Sequence, residues 1–239
     1  MSRPKPTYAV RVSSRARHVR ITLSLRDGLV VVVPRGFDRS RIPGILEQKK
    51  RWLEKAREKI NEQRQFVEPG PSECLPARLS LQGIGEEWTV DYRQTESPHV
   101  TAVEGPGNRL LVSGDAGSTE ACKAALGRWL NRKGHEHLEP WLERLADECG
   151  FELKRVRIGA QRTRWGSCSS RKTISLNAKL LFIPEDLIRY ALIHELCHTK
   201  RLDHSRKFWA LVNQHQPDYP VKNKQLRAAW RFVPAWLEV

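Results

Sequence analysis

Methionine is almost missing from this 239-residue chain, since Met1 is the only one. Cysteine is scarce and odd in number: Cys74, Cys122, Cys149, Cys168 and Cys197. Five thiols in a mid-sized chain do not make a disulfide framework, and they point to a reducing cytoplasm. Long apolar runs are also absent. The most apolar stretch is Leu29–Val33, whereas a helix that spans a bilayer takes about 20 such residues. No membrane association is therefore expected. The opening MSRPKPTYAV has neither an apolar core nor a small-residue cleavage site, so it does not read as a secretory leader. Hydrophobic residues make up 39% and charged residues 29%, a globular composition that excludes a disordered or fibrous chain.

Acidic residues are in deficit, and unevenly so. The chain carries 42 Lys and Arg against 27 Asp and Glu, for a net charge of +15. Residues 1–67 hold 17 basic and 6 acidic side chains, residues 68–150 hold 8 and 14, and residues 151–239 hold 17 and 7. Basic flanks around an acidic middle suggest an anionic partner, of which nucleic acid is the commonest. A solvated basic surface has the same composition.

The hydrophobic pattern predicts an α+β fold. Val19–Leu25 alternates, Asp27-Gly28 follows, and Leu29–Val33 is rich in β-formers, which together read as a hairpin. A helix is expected over Ile42–Gln65, with Ile42, Leu46, Trp52, Leu53 and Ala56 among its inner residues. Short strands are expected at Arg78–Gln82, Trp88–Tyr92, Val100–Val103 and Leu110–Val112. A long helical stretch follows from Ser118 to Glu148, which Gly134 and Pro140 should break or kink. Strands at Lys154–Ile158 and Thr173–Leu176 come next, then helices over Glu185–Arg201 and Ser205–His215. This pattern divides the chain into a β-rich region with one helix over 1–115 and a catalytic domain over 116–239.

The chemistry concentrates in Ile193-His194-Glu195-Leu196-Cys197-His198 and the following Asp203-His204. On a helix, His194 and His198 share one face, one turn apart. Two imidazole nitrogens so placed can each reach a Zn²⁺, and Glu195 stands close enough to act as general base on a metal-activated water. A catalytic zinc usually takes three protein ligands. His204 can be the third if the chain turns near Arg201–Asp203, which Asp203 and Ser205 permit. By composition, a chance His-Glu-x-x-His is expected roughly 0.02 times in such a chain. A core helix with mutually satisfied histidines is the structural alternative, and it would be costly for buried polar groups.

The same His-x3-His-x5-His spacing occurs in metzincin proteases, but a Met-turn is impossible here and position 201 is Arg. It also occurs in bacterial metal-dependent endoribonucleases that mature ribosomal RNA. Those resemble Asp203-His204 but lack a glutamate after the first histidine. A broader match runs through Arg164-Trp165-Gly166-Ser167-Cys168-Ser169-Ser170, Ile174-Ser175-Leu176-Asn177, His194-Glu195-Leu196-Cys197-His198 and His204-Ser205-x-x-Phe208-Trp209. These residues resemble the YgjP-like zinc metallopeptidase family, which is related to the SprT-type proteases. Ser14-x-Arg, the hairpin ending at Pro34 and the helix with Trp52 are similar to that family's amino-terminal part. The resemblance implies a zincin-like core, in which an active-site helix packs on a small mixed sheet after the amino-terminal hairpin and helix. It further implies one Zn²⁺ per chain held by His194, His198 and His204, and hydrolysis of protein or peptide substrates.

The expected activity is thus zinc-dependent peptide hydrolysis with Glu195 as base. The alternatives are a metal-dependent endoribonuclease and a basic nucleic-acid-binding module with a structural metal. Trp165 could wall the cleft or pack in the core. Tyr219 could steady an oxyanion or simply pack. Gly166 is expected to allow a tight turn, and the Ile174–Asn177 strand could be an edge that pairs with extended peptide or an interior strand. Cys168 and Cys197 read as core, and His135 and His137 as surface.

Overall fold

A computed structural model describes the protein over residues 8–24, 28–54, 56 and 75–237. The chain forms two compact units, Met1–Glu68 and Pro69–Val239. In the first, β1 (Tyr8–Ser13), β2 (Arg20–Ser24) and β3 (Gly28–Pro34) make a sheet of order β1-β3-β2. The expected hairpin is β2–β3, antiparallel with Ser24 opposite Gly28; its turn, residues 25–27, lies outside the described residues. The sequence reading missed β1, which pairs in parallel with β3. Leu29, Val31 and Val33 alternate onto one face and bury against Ile42, Leu46 and Leu53. The first two of these helical residues belong to α1 (Ile42–Gln48), and helical backbone resumes over 50–54. The remainder of the helix expected to reach Gln65 lies outside the described residues. Trp52 is not an inner residue, being 47% exposed. Leu53 takes the inward position, and a neighbour in a helix is turned about 100° away.

The second unit opens with β4 (Arg78–Leu81), β5 (Glu86–Gln94), β6 (Thr101–Gly105) and β7 (Arg109–Gly114), in the order β4-β5-β7-β6. Only the β5–β7 pair is parallel. Helix α2 (Thr119–Cys149) follows, with the Ser118 hydroxyl accepting from the Ala121 N–H and Gly150 closing it in the left-handed region. It is one element through Gly134 and Pro140, so of the expected break or kink there is no break. Packing overrides local preference: Leu126, Trp129, Leu130, Leu138 and Leu142 are all buried. Gly134 serves that packing, because a Cβ there would lie 2.7 Å from Ile158 Cγ2. Trp129 meets Trp88 edge-on at 5.3 Å, which ties α2 to β5.

The remaining elements carry the motif. Strands β8 (Arg155–Gly159), β9 (Gly166–Cys168) and β10 (Thr173–Asn177) form a mixed sheet of order β8-β10-β9. The Thr173–Asn177 strand is therefore interior, and β8 and β9 are the edges. Helices α3 (Glu185–Cys197), α4 (Arg206–His215) and α5 (Tyr219–Ala228) complete the unit. α3 is buried nearly all round, through Leu187, Ile188, Ala191, Leu192, Ile193 and Leu196, and it packs against β9, α2, α4 and α5. The fold is α+β, with the motif helix laid on a small mixed sheet. No helix among the described residues is long and apolar enough to cross a membrane.

Candidate metal centre

Helix α3 ends at Cys197, and His198 caps it. The Lys200 and Arg201 amides both return to the Cys197 carbonyl, closing a tight turn. Asp203 Oδ1 then accepts from the Ser205 amide at 3.1 Å, just ahead of α4. This is the turn the third ligand requires, and it brings His204 Nε2 to 3.2 Å from His194 Nε2. Donor nitrogens of His194, His198 and His204 all lie within 4.8 Å of one another, the one such cluster among the described residues. Two ligands of a tetrahedral ion with bonds of about 2.0 Å stand about 3.3 Å apart, so the spacing suits a divalent cation.

Proton placement agrees with that use. His198 Nδ1 lies 2.9 Å from the Arg201 carbonyl oxygen. A carbonyl only accepts, so Nδ1 carries the proton and Nε2 keeps its lone pair for a metal. Burial pushes the His194 imidazole down to about 3, aided by the neighbouring His198 and His204, and burial also lowers His198. Both rings are therefore neutral at pH 7, the form that ligates. Phe208 underlies the cluster: it stacks on His198 at 4.4 Å and meets His194 and His204 edge-on at 5.1 and 4.9 Å. Sequence reasoning assigned Phe208 no role; it lies in the first turn of α4, which the chain enters just after His204.

Glu195 is 8% exposed, and its Oε2 has no hydrogen-bond partner. Burial raises its carboxyl to about 8, against a partial pull from the Arg164 guanidinium. An unpartnered buried carboxyl beside three imidazoles costs stability, and such costs collect at functional sites.

A family model for the YgjP-like metallopeptidase domain matches residues 17–229. The chain belongs to that family. It is accordingly a metal-dependent peptidase domain, and the family implies a divalent metal. Among solved structures, the metallopeptidase zymogen abylysin of Pyrococcus abyssi is 30% identical over 37% of this chain and 90% of its own, with a TM-score of 0.34. No curated protein matches the chain.

Within this YgjP-like domain, the residues around the cluster fall into distinct roles. Gly166 does not make a turn. It lies in β9, where a Cβ would stand 2.7 Å from Glu195 Cγ and 2.8 Å from Oε1. Glycine is needed there because the carboxyl lies against the strand backbone. Asn177, fully buried, clamps the segment that leads into β9. Its Nδ2 donates to the Gln161 and Arg164 carbonyls at 2.8 and 2.9 Å, and its Oδ1 accepts from the Lys179 amide. Trp165 is buried, stacks on Trp230 at 4.1 Å and donates its indole N–H to the Leu226 carbonyl. Tyr219, at the start of α5, stacks on Trp209 at 5.3 Å, and Trp209 in turn leans on His194 and His204. Tyr190, one turn before His194, is a residue the sequence reading overlooked. It is fully buried with an unpartnered hydroxyl, and burial pushes that hydroxyl up to about 12.

The cysteines and remaining histidines have other surroundings. Cys197 is fully buried, and burial raises its thiol to about 12. Cys168 is half-buried, and burial raises it to about 11 with Glu195 adding to the effect. His135 Nδ1 pairs with Glu139 at 2.8 Å, and His137 lies 3.6 Å from Glu86.

Proposed function

We propose that this domain hydrolyses peptide bonds with one Zn²⁺ held by His194, His198 and His204, and with Glu195 as general base. The observation that carries the reading is the convergence of three imidazoles beside one buried, unpartnered carboxyl. An all-imidazole donor set suits zinc, and three protein ligands leave one position open. When bound, the ion would acidify a water and polarise the scissile carbonyl. A bound cation would favour the ionised carboxylate, and Glu195 would then take a proton from the attacking water at a carboxylate oxygen and deliver it to the leaving amine nitrogen. His198, fixed by its bond to Arg201, holds its ring in the ligating tautomer. Phe208 keeps water from the back of the cluster. Among the described residues no strand pairs with the outer side of β9, which lies against Glu195, and an extended peptide can pair its main chain there. The four described cysteines are free thiols, which supports a reducing, cytoplasmic setting.

Glu195→Gln tests the reading. The variant should keep its metal and lose about 10²- to 10⁴-fold in casein hydrolysis. Full hydrolysis by Glu195→Gln removes the base. Cleavage of structured RNA with no cleavage of casein removes the peptidase reading in favour of a nuclease.

A further inference from the structure

We propose that the amino-terminal unit carries a nucleic-acid-binding face, built from Arg11, Arg15, Arg17, Arg20 and Arg35 at one end of its sheet. The sequence singles this segment out. From Tyr8 to Arg41 it holds eight arginines and no lysine, against two aspartates. The strand register then gathers the charge. Arg11 of β1 and Arg20 of β2 both lie opposite Val32 of β3, so an Arg–Val–Arg row crosses all three strands. With strands about 4.8 Å apart, the two arginine backbones stand about 10 Å from each other. Ser13 lies opposite Pro34, and β2 begins at Arg20. The 14–19 connection and residue 35 are thus at the same end of the sheet, which adds Arg15, Arg17 and Arg35 to the row.

The unit's core cluster lies on the other face; on the arginine face Val30 is buried, while Val32, in the row of Arg11 and Arg20, is only partly so. Leu29, Val31 and Val33 use the opposite face for the core, and all five arginines are exposed. None of the five makes a salt bridge among the described residues. Two of the unit's described acids are engaged elsewhere: Asp38 accepts from the Ser40 amide and hydroxyl, and Glu47 pairs with Lys50. Clustered, unpaired guanidinium groups repel one another and gain by meeting anions.

A row of guanidinium groups suits a phosphate backbone. Guanidinium forks pair phosphate oxygens two at a time, and a strand of nucleic acid repeats one phosphate every few ångströms along its length. A membrane surface fits less well. The connection reads Ser14-Arg15-Ala16-Arg17-His18-Val19, and its one large apolar side chain, Val19, packs on the core instead of standing free to insert. Contacts of this kind position a backbone and carry no base preference.

The test is fluorescence anisotropy of the full chain with labelled 20-nucleotide single-stranded and duplex DNA, between 50 and 200 mM salt. Wild type should bind with an affinity that falls steeply as salt rises. Arg11→Glu/Arg20→Glu should weaken binding at least tenfold and lower the salt slope by about two. Arg11→Lys/Arg20→Lys, which keeps the charge but removes the forks, should leave the salt slope unchanged and weaken binding less than the reversal does, and thermal melts should show both variants folded. Arg155→Glu/Arg157→Glu, a matched reversal in the second unit, should bind as wild type does. Three results overturn the proposal: no binding at 50 mM salt, an equal loss in the two reversal variants, or tighter binding to vesicles with 30% anionic lipid than to either DNA.

Discussion

Glu195 shows most clearly what a single residue contributes here. Its carboxyl keeps a proton to about pH 8 in the metal-free fold, whereas the unfolded chain releases it near 4.5. The unfolded state therefore binds fewer protons across that window. This contribution to stability is full below pH 4.5 and is lost as pH rises toward 8. Glu195→Gln does not titrate. The metal-free variant should match wild type at pH 5 and exceed it by roughly 2–4 kcal/mol at pH 8, measured by thermal melts at both values. An equal gap at the two pH values would contradict the buried carboxyl. Gly166 is the complementary case. Gly166→Ala should push the Glu195 side chain off the strand and lower kcat at least tenfold while metal content stays unchanged. Unaltered kcat would mean the carboxyl's pose is not set by β9. His194, Glu195 and His198 were legible as a site because helical spacing alone puts the two rings on one face. Gly166 was legible as a required glycine but not for its reason, since the atom it must avoid lies 29 positions away.

Among the elements, legibility followed the range of the interactions. The β2–β3 hairpin, the strands of the four-stranded sheet and helices α2 to α4 can be read from local alternation, turn residues and helical period. β1 cannot, because its parallel partner is separated from it by a strand. The interior place of β10 and the edge place of β9 depend on pairings across a loop, which periodicity does not report. α2 survives Gly134 and Pro140 because its buried leucines and Trp129 pack on a sheet, and that packing is invisible to local propensity. α5 was unforeseen for a related reason: it buries no residue fully, so it shows no strong apolar stripe. The 161–165 segment has little regular structure of its own and depends on Asn177. Asn177→Ala strands three backbone groups at once and should cost about 2–4 kcal/mol in urea melts. Catalysis should fall further than stability accounts for, because that segment delivers Gly166 to Glu195. A loss under about 0.5 kcal/mol would show that water replaces the clamp.

Across the whole molecule, two units divide the work by composition. The first is arginine-rich and built on a three-stranded sheet; the second holds the long helix, the mixed sheet and the histidine cluster. The net charge of +15 belongs to both ends of the chain, so charge alone did not separate a binding face from an ordinary solvated surface. The strand register adds a placement that charge does not give, since it sets Arg11 and Arg20 in one row across the sheet. The fold's central claim is narrower: His194, His198 and His204 share one divalent ion. Elemental analysis of the purified chain, wild type beside His204→Ala, tests it most directly. The account predicts about one equivalent of zinc in wild type and a large loss in His204→Ala without unfolding. Wild type free of bound metal after zinc is supplied, or full occupancy in His204→Ala, would contradict it.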